Sequence, residues 1–269
     1  RQGPCADTAT FSLTIKVAKT YVPDDNFEAY LETHDASGNL VSVGDANSMG
    51  DGIANNDSVK TANISGVINL DLNNSLGTGN ISTLTGIEDF ISLEYLDFSM
   101  HPVNALDFTS NINLKSLWLG DLSSLNSINI STCVNLEYLV LTQNSVTSLD
   151  VSNNSLLSQL YIENSMISNI DFSNLINLKS LNIANNLFLT LDLSNNINLE
   201  QLVCSGIGAS SLDLSNNIAL RQLHCDGILN LTSLDLRNGN NSSFNSNPSG
   251  ILYMSGGHDL HSPNAPNGS

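Results

Sequence analysis

The stretch LDLSNNINLEQLVC, residues 191–204, returns 21 positions later as LDLSNNIALRQLHC, residues 212–225. The aspartate of LDL marks a period of 21 or 22 residues along the chain, at Asp107, Asn129, Asp150, Asp171, Asp192, Asp213 and Asp235. A second anchor keeps the same period and opens the pattern L-x-x-L-x-(L/I/F/C), at Leu93, Leu114, Leu136, Leu157, Leu178, Leu199 and Leu220. Seven near-regular copies exclude chance as the origin of the pattern.

A fixed period in the twenties built on this pattern predicts a leucine-rich-repeat solenoid. We therefore expect a mainly β fold of 21–22-residue coils with a parallel sheet, little helix and a short N-terminal helical cap. Leu181 should point inward and its neighbours Ser180 and Asn182 outward, because side chains alternate along a strand. The LDL segment of each coil predicts a second short strand, and the Ser-Asn-Asn that follows predicts a turn.

The points where the repeat begins and ends divide the chain into four predicted segments. We expect residues 1–19 to be a strand or linker, with a strand at 9–17 that belongs to the cap or to an upstream domain. Residues 20–66 should form an N-terminal cap with an acidic loop and a helix at 22–31, in which Asp25 and Glu28 have capping-box spacing. The solenoid should occupy 67–243, and residues 244–269 a C-terminal cap or tail.

The charge of the chain excludes several classes of function. The 269 residues have a net charge of −18 and only eight Lys and Arg, which argues against binding of nucleic acid or anionic lipid. The sequence has no apolar run of membrane-spanning length. The first residues, Arg1 to Pro4, look like a cleavage point inside a longer polypeptide. We therefore expect that the export signal is not present in this chain.

Several motifs resemble one group of known proteins. TYVPDDNFEAYLE (20–32), GDGIANNDSVKTANI (50–64), LTGIEDFISLEYLDFS (84–99) and the LDLSNN repeats are similar to secreted or cell-surface leucine-rich-repeat proteins of Bacteroidota, which are internalin-like in architecture. The resemblance implies an extracellular or cell-surface location and a role in adhesion or protein binding. It also implies O-glycosylation at Asp-Ser/Thr-small sequences, which fit Thr8 and Ser58.

The outward positions of the first strand are the candidate binding surface, because they change from coil to coil. Trp118, the only tryptophan, falls beside tyrosines, and exposed aromatic side chains are typical anchors for a protein or a glycan. The alternative is that the rings only stabilise the sheet. The predicted contact residues are Tyr95, Trp118, Tyr138, Val140, Tyr161, Glu163, Val203 and His224.

These residues lead to a functional hypothesis with two alternatives. We expect a non-catalytic module that binds a protein or a glycan at the cell surface, without membrane insertion. The chain would otherwise be a structural spacer in a larger surface protein, or a module that targets an attached enzyme. Neighbouring domains of the same polypeptide are further candidate partners.

Calcium is the one cofactor for which the sequence offers ligands. The loop 44–57 contains several oxygen-bearing side chains without EF-hand spacing: Asp45, Asn47, Asp51, Asn55 and Asp57. The repeated aspartates of LDL have two interpretations, hydrogen bonding to local backbone groups or weak calcium binding.

Catalytic motifs are missing from the sequence. There is no H-E-x-x-H, G-x-S-x-G or phosphate loop, and the five histidines are scattered over caps, loops and one outer face. Cys204 and Cys225 replace inward leucines, so we expect buried thiols rather than a disulfide. We therefore expect that the chain is not an enzyme.

Overall fold

The computed structural model describes residues 17–239 and the strand Ile251–Tyr253, and the predicted solenoid is confirmed. Nine three-residue strands pair in parallel to form one sheet, with one strand from each coil. The strands are β3 (Asn69–Asp71), β4 (Tyr95–Asp97), β6 (Ser116–Trp118), β8 (Tyr138–Val140), β9 (Gln159–Tyr161), β10 (Ser180–Asn182), β11 (Gln201–Val203), β13 (Gln222–His224) and β15 (Ile251–Tyr253). The central leucines from Leu70 to Leu223 are at most 1% exposed, as the predicted alternation requires.

The second extended segment of each coil differs from the prediction. It forms strands in two separate pairs, β5 (Ala105–Asp107) with β7 (Ser127–Asn129), and β12 (Ser211–Asp213) with β14 (Ser233–Asp235). The corresponding segments of the three coils between them, 149–151, 170–172 and 191–193, are not strands. Side-chain amides connect neighbouring coils there; Asn153 Nδ2, for example, donates to the carbonyl of Ser131 at 3.0 Å. The second sheet is therefore interrupted between β7 and β12.

Buried asparagines join neighbouring coils at the turn that follows the second segment. Each donates its Nδ2 to two carbonyls of the preceding coil, and Asn196 does so to Phe172 O at 3.1 Å and Leu175 O at 2.9 Å. We call this set the asparagine ladder; its fully buried members are Asn111, Asn154, Asn196 and Asn217. Cys133 and Leu175 occupy the same position in two other coils and are also 0% exposed. Leu175 has no side-chain donor, so a hydrogen bond is not required in every coil.

His101 has an equivalent role in the turn after the first strand. It occupies the same position in its coil as Asn144 and Asn186 do in later coils, and it is only 2% exposed. Its Nε2 lies 2.6 Å from Leu72 O, and its Nδ1 accepts from Ile81 N at 3.1 Å. One nitrogen donates and the other accepts, so the ring is neutral. Burial lowers the pKa of His101 below its usual range, although the contact with Leu72 and the charges of Asp24 and Asp97 oppose this shift.

The N-terminal cap contains two short strands and two helices. β1 (Lys19–Tyr21) pairs antiparallel with β2 (Ser58–Lys60), and α1 (Asp25–Thr33) and α2 (Thr61–Ile64) follow these strands. Single 3-10 turns lie at Asn74–Leu76 and Ile87–Asp89. Within the described residues, no helix has the length and apolar character needed to cross a membrane.

The cap of helix α1 differs from the predicted capping box. Asp24, not Asp25, is the N-cap, and its Oδ1 accepts from Asn26 N and Phe27 N, each at 3.1 Å. The other carboxylate oxygen accepts from Ser82 N at 2.7 Å. Glu28 turns away from the helix N-terminus, because its side chain binds another loop. Asp24 thus attaches the helix to the first coils of the solenoid. The segment boundaries after residues 19, 66 and 243 stay predictions.

Candidate functional site

The outward side chains of β3 to β13 in the nine-stranded sheet form one continuous surface, which we call the first-strand face. All eight predicted contact residues lie on it and are partly exposed, including the apolar Val140 and Val203. Glu163 accepts from Asn182 Nδ2 at 2.6 Å, and Asp226 accepts from Ser205 Oγ at 2.8 Å. These contacts connect neighbouring coils, so they hold the polar part of the face in fixed positions.

Three aromatic rings follow one another on the face, and we call them the aromatic array. Trp118 and Tyr138 are stacked with ring centroids 4.8 Å apart and an interplanar angle of 21°. Tyr138 and Tyr161 follow at 5.6 Å and 42°. Tyr95 lies in the same column as Tyr138, but Ser116 separates the two. The structure thus brings three of the four predicted rings together.

Hydrogen bonds fix the ends of the aromatic array. Trp118 Nε1 donates to Ser116 Oγ at 3.0 Å. The hydroxyl of Tyr161 lies 3.1 Å from both Gln159 Oε1 and Ser180 Oγ. Burial raises the pKa of Tyr138, with a further contribution from Tyr161. The array is therefore a rigid surface whose hydrogen-bonding groups are already oriented.

Ring orientation decides what the array offers to a ligand. Trp118 and Tyr138 are stacked at 4.8 Å, so each ring covers one face of the other. Tyr161 is tilted by 42° against Tyr138 and does not stack face to face with it. A sugar stacks on an open ring face, and the contact between Trp118 and Tyr138 removes one such face from each of these two rings.

The repeated aspartates on the opposite side have a local explanation. Each of these carboxylates accepts from the backbone N–H two residues later, as Asp192 Oδ1 does from Ser194 N at 3.0 Å. The serine two residues later lowers the pKa of Asp171 mainly through its side chain, and it lowers the pKa of Asp150 and Asp192 through its backbone N–H and its side chain. The aspartates therefore shape the turns, as the first of the two interpretations predicted.

The acidic loop 44–57 is organised by carboxylates of helix α1. Glu28 and Glu32 are both fully buried. Glu32 Oε1 accepts from Asp51 N at 2.6 Å, while Glu28 Oε1 and Oε2 accept from Asn56 N at 2.9 Å and Asp57 N at 3.1 Å. The loop thus directs its backbone amides toward the buried carboxylates of helix α1.

The five predicted calcium ligands have different surroundings in the structure, and the calcium site stays a prediction. Asp51 forms an ion pair with Lys19, whose Nζ is 2.6 Å from Oδ2. Asp57 lies instead with Asp25 and Glu28; these three are the one group of His, Cys, Asp or Glu in the described residues whose ligand atoms all lie within 4.8 Å. Asp45 accepts from the backbone of Asn47 and is exposed. The exposed Asn55 has a left-handed backbone with φ of 58°.

Only one of the two predicted glycosylation positions lies within the described residues. Thr8 lies outside the described residues. Ser58 is half-buried in β2, where its hydroxyl donates to Asn56 Oδ1 at 2.9 Å and accepts from Lys19 Nζ at 3.2 Å. Glycosylation of Ser58 would have to displace these contacts.

The cysteines in the described part of the chain are buried and free, as expected. Burial raises the pKa of Cys204, and it raises the pKa of Cys225 to about 11. Burial also raises the pKa of Cys133 to about 11, and its Sγ lies 3.4 Å from Phe108 O. Such thiols are poor nucleophiles at neutral pH.

Two carboxylates of the first-strand face, Asp71 and Asp97, are not among the predicted contact residues. Asp71 neighbours Asp97, and Asp97 neighbours the predicted contact residue Trp118. Asp71 lies outside the regular period, because the step from Leu70 to Leu96 is 26 residues (96 − 70). The alternation around Leu70 was the available signal.

Comparisons with known proteins support the fold. No protein-family model matches the chain, and no curated protein matches it. Among solved structures, internalin C2 of Listeria monocytogenes is similar with a TM-score of 0.59 and 19% identity over 90% of this chain and 100% of that chain. A leucine-rich-repeat protein of Leptospira interrogans has a TM-score of 0.52 and 21% identity over 63% of this chain.

A third solved structure is the functional domain of InlJ from Listeria monocytogenes, with a TM-score of 0.32 and 20% identity over 82% of this chain. The chain spans 48% of the Leptospira protein and 62% of the InlJ domain. Internalin C2 and the Leptospira protein place this chain in the leucine-rich-repeat fold of bacterial proteins.

Proposed function

We propose that this chain is a non-catalytic, extracellular binding module that recognises a protein partner through the first-strand face. The observation that supports this proposal is the aromatic array, three rings at 4.8 and 5.6 Å held by hydrogen bonds at both ends. Such a surface loses little conformational freedom when it binds, so most of the contact energy contributes to affinity.

The choice of a protein over a glycan rests on ring orientation. Stacking of Trp118 on Tyr138 covers one face of each ring and so reduces the area on which a sugar could stack. Aromatic side chains in fixed positions are, by contrast, typical energetic centres of protein interfaces. The surrounding first-strand face adds small polar side chains and the apolar Val140, which is the composition of an interface rim around an anchor.

The location is part of the proposal. The resemblance to cell-surface proteins of Bacteroidota motivates it, as does the negative charge, which disfavours nucleic acid and anionic lipid. A structural spacer and a targeting module for an attached enzyme remain the alternative functions. If the chain is a spacer, substitutions in the aromatic array should have no effect on its function.

The test begins with a screen of the purified chain against arrays of cell-surface proteins and glycans. Trp118→Ala and Tyr161→Ala are then compared with Tyr21→Ala, which removes a tyrosine that is 61% exposed on the cap and not on the face. We expect each array variant to weaken binding about 30-fold, since loss of an anchor is worth about 2 kcal/mol. Tyr21→Ala should stay within about twofold of the original chain.

Circular dichroism and thermal unfolding of each variant separate lost binding from lost folding. Normal binding by both array variants would reject the first-strand face as the site. A spacer predicts that outcome together with no ligand on either array. Binding to glycans alone would reject the protein partner.

A further inference from the structure

The N-terminal part of the first-strand face combines carboxylates with aromatic rings. We call Asp71, Tyr95, Asp97 and Trp118 the acidic aromatic patch. Asp71, Asp97 and Trp118 are neighbours in one column of the sheet, and Tyr95 is two residues from Asp97 on β4. Burial raises the pKa of Tyr95, and the charges of Asp97 and Asp71 raise it further. The patch is therefore a region of negative potential.

The carboxylates of the patch are held in place without a cation. Asp97 is only 9% exposed; its Oδ1 accepts from Ser99 N at 3.0 Å, and its Oδ2 accepts from Asn73 Nδ2 at 3.1 Å. Asp71 Oδ1 accepts from Asn73 N at 3.1 Å, and its side chain is exposed. All three donors are neutral, so they orient the two charges but do not neutralise them.

Four lysines and arginines of residues 17–239 pair with carboxylates outside the patch. Lys19, Lys115, Arg221 and Arg237 pair with Asp51, Glu94, Glu200 and Asp235, respectively. None of the outward positions on β3 to β13 of the sheet is a lysine or an arginine. Lys115, Lys179 and Arg221 directly precede strands of the face.

We infer that the partner presents a basic polypeptide segment, with arginine or lysine side chains, to the acidic aromatic patch. This inference rests on the proposed function and adds the chemistry of the partner. A guanidinium group would contact the indole and the Tyr95 ring while it donates to Asp71, because arginine both stacks on aromatic rings and binds carboxylates. Complementary charge also steers a basic partner toward a chain whose net charge is −18.

An organic cation fits the patch better than calcium does. Calcium takes about six to eight oxygen ligands. The patch supplies two carboxylates, and both oxygens of Asp97 already accept hydrogen bonds. An arginine or lysine side chain needs one or two acceptors and an adjacent apolar surface, which the patch offers.

Trp118 makes the inference directly testable, because it is the only tryptophan in the chain. Its fluorescence reports a ligand at the patch itself. The probe is an acetylated triarginine amide, titrated into the full chain at low salt, with a triglutamine peptide as the uncharged comparison. We expect a saturable change in emission with triarginine, which added salt weakens, and no change with triglutamine.

Asp71→Asn and Asp171→Asn are a matched pair of variants. Both aspartates are exposed, and each accepts from the N–H two residues later, so each change removes one charge and keeps one acceptor. Only Asp71 belongs to the patch. We expect Asp71→Asn to weaken triarginine binding about fivefold and Asp171→Asn to change it by less than about 1.5-fold. Asp97→Asn is a second patch variant and should act in the same direction as Asp71→Asn.

Equal weakening by Asp71→Asn and Asp171→Asn would show that arginine binds diffusely to the acidic chain, and this would overturn the inference. Binding without any change in Trp118 emission would overturn it as well. The proposed function is tested separately. If a natural protein partner loses affinity with Tyr161→Ala but not with Asp71→Asn or added salt, the basic segment is rejected and the proposed function stands. If none of the face variants matters, both are rejected.

Discussion

Replacing Asn196 by aspartate exchanges a buried donor for an acceptor of nearly the same shape. Asn196 is 0% exposed, and its Nδ2 lies 3.1 Å from Phe172 O and 2.9 Å from Leu175 O. A carboxylate oxygen at that position would face two carbonyl oxygens without a proton between them. The folded variant should therefore keep this side chain protonated, and one O–H replaces only one of the two hydrogen bonds.

The loss of stability is the sum of two costs, protonation of the carboxyl group and loss of one hydrogen bond. Protonating a carboxyl group of pKa about 3.9 at pH 7 costs about 4 kcal/mol, at 1.36 kcal/mol per pH unit. Loss of one hydrogen bond adds about 1 kcal/mol. We expect Asn196→Asp to lower the free energy of unfolding by about 5 kcal/mol at pH 7 and about 2.5 kcal/mol at pH 5. The sign follows from a pKa that is raised in the folded state, since stability is then lost as the pH rises above the unfolded value.

Asn198→Asp is the control in the same coil. Asn198 is exposed and donates to Ile176 O at 2.9 Å, so its aspartate can remain charged in water. Its substitution should cost about 1 kcal/mol with little dependence on pH. Urea denaturation followed by circular dichroism at both pH values measures the two variants. If Asn196→Asp costs no more than Asn198→Asp, or costs the same at both pH values, the asparagine ladder does not act through its donors.

Three further predictions concern the core and the turns. Leu181→Ala should cost about 2–5 kcal/mol in urea denaturation, because it leaves a cavity at a fully buried position; a cost below about 0.5 kcal/mol would contradict the inward assignment. Cys204 and Cys225 should resist a thiol reagent in the native chain and react after unfolding, since burial raises the pKa of both; rapid native labelling would refute this. The pKa of His101 is lowered in the folded state, so stability should fall as the pH drops below about 6.5, and His101→Asn, which can still donate to Leu72 O, should reduce that slope in denaturation at pH 7.5 and 5.5.

The apolar half of the solenoid was predictable residue by residue. Leu96, Leu117, Leu139 and the later members of the series are all buried at the centres of their strands. Burial of such a leucine depends mainly on its apolar side chain and on its position in the repeat. Both can be read directly from the sequence. The turn at Asp192 could also be predicted from the sequence, because the hydrogen-bond partner of Asp192 is only two residues away.

Polar groups with distant partners were not predictable in this way. Asn196 looks like a turn residue in the sequence, although its partners are 21 and 24 residues earlier. Glu28 has capping-box spacing from Asp25 but binds amides 28 and 29 residues later. In both cases a local motif and a long-range contact compete for one side chain, and only the packing of the chain decides between them.

The sequence by itself determined that this chain is a solenoid and which leucines build it, because a repeated apolar pattern has one way to bury itself, by stacking coil on coil. The tertiary structure was needed to show which polar residues enter that core and how closely the rings of Trp118, Tyr138 and Tyr161 approach one another. These features depend on contacts between residues that are about one coil or more apart in the sequence. A period gives the order of such residues along the solenoid, but not their hydrogen bonds or their ring angles.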